Sequence, residues 1–546
     1  MFSIKRIFSA LGAAALLTTI VVADPPARVA RINYLQGSVS LQRGDLGAWD
    51  QAVVNYPMVA DDSLWTDGGA RAELHIGSTA LRLADQTSIS FLNLNDQVVQ
   101  IRIAEGVAEI HLNRLDAGEG YEIDTPCASV SLSQTGDYRL EVDEAGNATI
   151  ITRRGQAEVT VGDLSFDLAA DQQANVANPA DPIYELSPPK PIDDFERWAN
   201  ERTSREEQCV SARYVSREMI GYEDLDAYGA WTALPEYGNA WSPYSVPAGW
   251  SPYSAGNWLW LEQYGWTWVD VEPWGFAPFH YGRWAFVGGA WYWVPGPLTP
   301  RPIFAPALVS FIGGNNWGVS FGFGGGIGWF PLGPGEIYRP VYFVSERYIR
   351  GLNPATGLNV RVVNRFVNRE VPGAVTVVSR EVFTRGRIDA VSRVSIEPRV
   401  LAGAPLLGAA APLAPAPESL LVRGGHGGVV ARPPDFVRER IVRTKLAPAP
   451  NAIPFEARRS ALTANPGRPL DAPTPGRIRR AAPDRQAPGV MPTRPVNPPT
   501  MRGTEPRFET PVRPNNLPGV RPEHAAPMRP PQRPAHGNGF NFRHGH

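Results

Sequence analysis

Only two cysteines, Cys127 and Cys209, occur in 546 residues. That scarcity excludes a small scaffold stapled by disulfides and a structural zinc site built on four thiolates. Histidine is equally sparse: five of the eight copies fall in the last 125 residues, which leaves little for imidazole-based catalysis. No G-x-S-x-G elbow, H-E-x-x-H helix or phosphate-cradling Walker loop is present; the run Gly322 to Gly326 has no lysine and no βαβ setting. Beyond residue 22 no stretch approaches 18 uninterrupted apolar residues, so no later membrane-spanning helix is expected. Net charge is also low, −2, but it conceals a split. Residues 1–400 carry 31 basic and 45 acidic side chains and residues 401–546 carry 21 and 9, so the body is at −14 and the tail at +12. Such asymmetry points to a tail that seeks anionic surfaces.

What is present begins with an address. Lys5 and Arg6 precede an apolar run from Ile7 to Val22, closed by Val21-Val22-Ala23 ahead of Asp24-Pro25-Pro26. Small residues at the last and third-last positions suit a signal peptidase, and the run falls short of the roughly 20 residues of a spanning helix. Cleavage between Ala23 and Asp24 is therefore expected, with export to the periplasm or the cell exterior; retention of residues 1–23 as an anchor is the alternative.

Residues 24–178 alternate apolar and polar positions, as in Leu74 and Ile76, Leu81 and Leu83, Ile89 and Phe91, Val99 with Ile101 and Ile103, and Tyr138 with Leu140 and Val142. Period-two patterning in strands every 8–12 residues, with glycines at 37, 69, 77, 106, 136, 146, 155 and 162, predicts an antiparallel β unit. Its motifs, taken in order, are Leu35-Gln36-Gly37-Ser38-Val39, Thr66-Asp67-Gly68-Gly69-Ala70-Arg71-Ala72-Glu73-Leu74, Gly106-Val107-Ala108, Thr125-Pro126, Gly136-Asp137-Tyr138-Arg139-Leu140 and Arg154-Gly155-Gln156-Ala157-Glu158-Val159. The series resembles a FecR-type extracytoplasmic domain over about 28–178. The resemblance implies a sensing or protein-contact module. FecR regulators of sigma factors carry a cytoplasmic segment and a membrane span before this domain. Here a signal peptide precedes it, so sigma-factor signalling across a membrane is the alternative reading. Arg71 and Glu73 are expected on a solvated sheet face.

A Pro-rich linker with a short amphipathic helix is expected over 179–213, the helix starting near Asp193 with Phe195 and Trp198 on one face. Cys209 near its end and Cys127 on a strand form a possible disulfide in an oxidising compartment.

Thirteen of the 16 tryptophans lie between Trp231 and Trp329. Trp258 maps to Trp284, Trp266 to Trp291 and Trp268 to Trp293 at separations of 25 or 26 residues, the signature of a repeated supersecondary unit. Trp-x-Trp places two rings on one strand face and nearby glycine supplies the turn, so small hairpins are predicted over 214–345. The block, with Tyr228-Gly229-Ala230-Trp231 and Trp274-Gly275-Phe276-Ala277-Pro278, resembles an uncharacterised Trp-rich bacterial envelope domain that often follows a FecR-like one. Two readings of the rings stay open. Trp250, Tyr253, Trp258, Trp260, Trp266, Trp268, Trp274, Tyr281, Trp284, Trp291 and Trp293 either present a platform for an envelope glycan or peptidoglycan, or stack as a core. Glu262, Asp270 and Glu272 among these rings have the residue types of a glycosidase pair, and His280 stands alone as a packed residue or ligand.

Residues 346–400 are a polar, β-prone extension. From 401 to 546, which holds 28 of the 54 prolines, apolar periodicity dissolves and a disordered, basic tail is expected. It would lie on anionic surfaces or serve as a spacer; the terminal His544-Gly545-His546, with His536, is a weak metal signal. The whole reads as a mainly β, exported envelope protein: non-enzymatic, without cofactor, metal or specific nucleic acid, and with an envelope protein or glycan as partner.

Overall fold

The computed structural model describes residues 24–314, 317, 326–354, 366–422, 430–471, 473–481 and 489–493. Residues 1–23, where a signal segment is expected, residues 360–365 of the β-prone extension, and His536, His544 and His546 lie outside the described residues. The fold is mainly β, with a few short helices.

In the N-terminal unit, strands from Ala30–Gln36 to Ile183–Ser187 build two sheets that share one long strand, Val98–Leu112. Its first half pairs with Thr87–Leu94, its second half with Thr79–Leu83 and Gly136–Val142. Gly106 permits the handover, since its φ is +98° and a side chain there would collide with Thr87. One pair departs from the antiparallel expectation: Gly120–Asp124 runs parallel to the start of the shared strand, with Gly120 opposite Val98. The bend lets residues 113–119 return to that start. The alternating apolar residues meet between the sheets, where Ile32, Leu74, Leu81, Ile89, Phe91, Ile103, Leu140 and Ile150 are fully buried.

The opposite face of the sheet through Arg71–Ile76 is not solvated. Helix Asp194–Glu207 begins where expected, with Asp193 accepting from the Glu196 backbone N–H at 2.9 Å, and buries Phe195, Ala199 and Thr203 at a spacing of four. Glu73 and Arg82 lie buried beneath it. The solvated-face expectation for Glu73 is thus corrected, because an element about 120 residues downstream covers that face. Arg71 is half-buried, its guanidinium over the rings of Phe195 and Trp198.

The predicted hairpins form in the Trp-rich unit. Gly256–Leu261 pairs with Gly265–Asp270, setting Trp258 opposite Trp268 and Trp260 opposite Trp266. Arg283–Val287 pairs with Ala290–Val294, setting Trp284 opposite Trp293. A third hairpin, Gly229–Leu234 with Gly238–Pro243, joins the second into a four-stranded sheet. Val309–Gly313 and Gly326–Pro331 form a fourth, extended by Thr376–Ser379 from the β-prone extension.

A disordered tail is expected over 401–546; its described residues, 401–422, 430–471, 473–481 and 489–493, carry short helices and strands, and the rest of the tail lies outside the described residues. The chain after Pro433 lies as a strap across the N-terminal unit, with backbone N–H groups of Arg443, Ala449 and Phe455 donating to the carbonyls of Thr125, Leu92 and Asp45 at 2.9–3.0 Å. Strand Val442–Thr444 pairs with Val490–Pro492, and helix Phe455–Ala464 follows. Arginine and lysine anchors hold this segment, so apolar periodicity is a poor guide to its order.

Candidate functional site

The eleven aromatic residues of the candidate glycan platform turn inward. Tyr253, Trp258, Trp260, Trp266, Trp268, Trp274, Tyr281, Trp284, Trp291 and Trp293 are all buried, and Trp250 is half-buried against Trp274 and Trp284. Their faces meet one another: the Trp258 ring lies 5.1–5.5 Å from Phe311, Trp268, Trp329 and Phe383. Several indole N–H groups are also engaged inside. Trp266 donates to Leu413 O, Trp284 to Pro278 O, Trp293 to Tyr281 O and Trp329 to Tyr253 O, at 2.8–3.0 Å. Of the two readings left open, burial of the rings supports the core. Rings packed at these distances are a core, because glycine-rich hairpins offer few aliphatic side chains to fill the space between them.

Two of the three carboxylates among the rings have structural partners. Glu262 meets Arg458 of the strap, and Asp270 accepts from the Trp268 indole at 2.9 Å and from the Glu272 backbone at 3.0 Å. Burial pushes Asp270 up to about 8. The backbone carbonyl of Glu272 is held by Asn55 of the N-terminal unit at 2.7 Å. His280 is fully buried between Phe276 and Phe304, its Nδ1 2.7 Å from Ala305 O, and burial pushes it down to about 3, so it is a neutral packing residue. Cys127 and Cys209 are free, buried thiols in this structure, not the possible disulfide. Cys127 donates to Gly146 O, whereas Cys209 lies against Tyr222 O and Glu223 O, and burial raises them to about 11 and 12.

A dense constellation of ionisable groups lies elsewhere, between the N-terminal unit, the linking helix and the entry to the Trp-rich unit. Glu73 accepts from Asn33 at 2.7 Å, from Arg82 at 2.6 Å, and from Arg202 through both oxygens at 2.5 and 2.7 Å. Arg82 continues to Glu206 at 2.6 Å and Thr203 at 2.8 Å. His75 Nδ1 lies 2.8 Å from Glu223, and Arg31 reaches Asp224 at 2.6 Å and the Pro273 carbonyl at 2.8 Å. Four acids, Glu73, Glu206, Glu223 and Asp224, thus face three arginines and His75. Despite burial, the nearby Glu223 and Glu206 carboxylates hold the imidazole pKa well above 6.5, while burial pushes Asp224 up to about 6, so charge balances when His75 is protonated and Asp224 is ionised. Burial opposes ionisation of Glu73, and Arg82, Arg202 and His75 overcome it, keeping Glu73 well below 4.5.

Glu73, His75 and Glu206 place one potential ligand atom each within 4.8 Å of one another. The donor set nevertheless suits a proton rather than a metal ion. Arg82 and Arg202 already occupy the carboxylate oxygens a metal would need, and they repel a further cation. The constellation is a weld that ties three segments of the chain together. Alternation along the strands placed Glu73 and His75 next to core residues; their partners Arg202, Glu206 and Glu223 carry no sequence signal that links them to a strand over a hundred residues away.

A second ionic chain anchors the strap. Arg43 pairs with Asp45 through two hydrogen bonds of 2.9 and 2.8 Å and donates to Trp260 O at 2.9 Å. Asp45 also meets Arg458 at 2.7 Å, and Arg458 continues to Glu262. Further along, Arg440 donates to Ala104 O and Glu144 O, Lys445 pairs with Glu158 at 2.8 Å, and Glu122 accepts from the Leu446 backbone. Part of the charge asymmetry between body and tail is thereby satisfied within the molecule, through Arg440, Lys445 and Arg458.

A family of unknown function, DUF6600, matches residues 222–336, within the Trp-rich block. No curated protein matches the chain. Two crystal structures of a candidate anti-sigma factor from Parabacteroides distasonis are similar at 17% and 16% identity. They cover 25% and 26% of this chain and 62% and 64% of their own, each with a TM-score of 0.22. The chain thus spans less than two thirds of those structures. Among the described residues no helix is long and apolar enough to cross a membrane.

Proposed function

We propose that this chain is a non-enzymatic, exported cell-envelope protein in which the N-terminal β unit is the protein-contact module and the Trp-rich unit is the scaffold that carries it. An open sheet edge is the observation behind this reading. Among the described residues, strand Ile183–Ser187 pairs only with Gln172–Ala177, and its Ile183, Tyr184 and Leu186 are 66%, 40% and 49% exposed. Tyr184 stacks on Phe166 of strand Leu164–Ala169 at 4.3 Å, so the two strands present one continuous apolar rim. An exposed edge offers a row of unpaired backbone groups to an extended segment of a partner, and side chains on that edge select it.

Other observations support the remaining parts of the reading. Export rests on the charged, apolar and small-residue order of residues 1–23, and the module assignment on the FecR-like motif series. The non-enzymatic reading is supported by the structural partners of Glu262, Asp270 and His280. The test is photo-crosslinking from position 184 of the full chain in living cells. A discrete adduct in the envelope fraction, with the mature chain starting at Asp24 and the adduct abolished by Ile183→Lys with Leu186→Lys, is expected. A cytoplasmic chain that keeps residues 1–23, or the same adducts from exposed Leu298, overturns the proposal.

A further inference from the structure

Under the strap lies a cavity of about 230 Å³ between the N-terminal unit and residues 438–452. Its wall includes Trp49, Ser63, Ser90 and Arg102 from the N-terminal unit and Arg438 from the strap. Three of these carry a buried N–H without a hydrogen-bond partner: Trp49 Nε1, Arg102 Nε and Arg438 Nε. A buried donor left unmade is costly, and three around one cavity need a common explanation.

Arg102 is the most telling of the three. It is 2% exposed, makes no ion pair among the described residues, and its Nη2 donates only to the carbonyls of Val437, Arg438 and Arg440 at 2.7–3.1 Å. Burial and neighbouring Arg440 lower its pKa to about 10. A buried guanidinium ordinarily faces a carboxylate, as Arg43 faces Asp45 and Arg82 faces Glu73 in this same unit. The acid in the wall, Asp61, has Oδ2 accepting from the Ala452 backbone at 2.9 Å. Ser63 and Ser90 bond to each other at 2.8 Å, leaving hydroxyl lone pairs and one proton for a polar guest.

We infer that this cavity binds a small oxyanionic molecule, a carboxylate or phosphate carried on a body no larger than a single sugar ring, with Arg102, Arg438 and the Trp49 indole as its donors. Planar guanidinium groups match the oxygens of such an anion, the serine hydroxyls suit hydroxyls on its body, and the volume excludes a chain of several residues. Because Arg438 belongs to the strap and Arg102 to the sheet, the bound anion bridges the two. Occupancy would therefore strengthen strap docking by mass action.

The full mature chain is titrated by calorimetry with inorganic phosphate, glucose 6-phosphate and glucuronate, with glucose as the neutral control. Saturable binding of at least one anionic probe, no response to glucose, and slower proteolysis of the strap in the presence of that probe are expected. Phosphate against glucuronate separates the two anion classes. Arg102→Gln, Arg438→Gln and Trp49→Phe should each weaken binding, the arginine changes by about tenfold or more. The exposed control Arg399→Gln should leave it unchanged. Arg438→Gln and Trp49→Phe retain the test if Arg102→Gln fails to fold, which circular dichroism reads directly. No binding by any probe, equal binding of glucose, or affinity unaltered in the Arg438 and Trp49 variants overturns the inference.

Discussion

Leu74 faces Leu81 across a hairpin of the N-terminal unit, and Trp258 faces Trp268 across a hairpin of the Trp-rich unit. The backbone solution is the same; the consequences for everything around it are different. An aliphatic pair brings no polar atom, so the N-terminal core closes on itself and the polar chemistry moves to the outer sheet face, where Glu73, His75 and Arg82 find partners on the helix and beyond. Tryptophan carries an N–H into the core, and each such group that is satisfied fixes a loop: Pro278, Tyr281, Tyr253 and Leu413 are all held through carbonyls that accept from indoles. One region is therefore joined to its neighbours by charge, the other knits its own loops by aromatic packing. Substitutions in the two regions should fail in different ways.

The largest effect is expected in the aromatic core. Trp268→Ala removes a fully buried ring that contacts Tyr253, Trp258 and Trp329 and strips the donor from Asp270. Loss of about 4 kcal/mol is expected from truncating a buried aromatic residue, read as a lower denaturation midpoint with a nearly unchanged slope. A loss below about 1 kcal/mol would mean that the rings are loosely packed, and would restore the platform reading.

At the weld, Glu73→Gln leaves Arg82, Arg202 and His75 around a neutral amide, with an expected loss of about 3 kcal/mol. Here the comparison sharpens through pH. His75 has a folded pKa well above 6.5, so its contribution is complete below about 6.5 and is lost as pH rises through the folded value. Glu73, held well below 4.5, contributes above about 4.5 and loses that contribution as pH falls through its own folded value. These two contributions overlap from about pH 4.5 to 6.5, the range in which Asp224, pushed up to about 6 by burial, costs stability as it ionises. The stability gap between the wild type and His75→Gln should be wider at pH 6 than at pH 9, whereas the gap for Trp329→Ala should change little. A gap for His75→Gln that ignores pH would exclude a protonated imidazole.

Arg458→Met tests the strap, where ionic anchoring and aromatic scaffold meet. The substitution leaves Asp45 with Arg43 alone and frees Glu262, so accelerated proteolysis within 430–471 is expected, with a global loss of about 2 kcal/mol, smaller than at the weld because the strap can peel away locally. Protection unchanged from the wild type would place the strap's hold in its backbone hydrogen bonds instead.

These contrasts also mark what the sequence could reveal. Period-two alternation located the strands that hold Leu74, Ile89 and Leu140, and the 25–26-residue spacing located the hairpins of Trp258 and Trp284. Neither pattern says what covers the second face of a sheet. Glu73 reads as solvent-facing because its alternation is local, while Arg202 and Glu206, which cover it, are set by the path of the chain through a Pro-rich linker. The strap was illegible for a similar reason: proline and arginine look like a solvated spacer unless Asp45, Glu105 and Glu158, which meet Arg458, Arg440 and Lys445, are known to line its route. Tryptophan was ambiguous in a different sense, since stacking on a sugar and stacking on another indole make the same demand on composition.

Arg71 provides the smallest and most discriminating test, because it lies two positions from Glu73 on the same strand and the two share one sheet face. Its guanidinium lies 5.3 Å from the Trp198 ring centroid and 5.8 Å from that of Phe195, at the margin of the helix rather than beneath it. Cation–π contact at a half-exposed position is worth about 0.5–1 kcal/mol, so Arg71→Gln should cost no more than that, with little dependence on pH between 5 and 8. Lysine at this position keeps the charge above the rings and should recover part of the loss. A cost near that of Glu73→Gln would mean that the weld extends to the rim of the sheet and that charge, rather than Phe195 and Ala199, seats the helix. A cost within the expected range would confine the ionic contribution to the buried centre and leave the margin to ordinary surface packing.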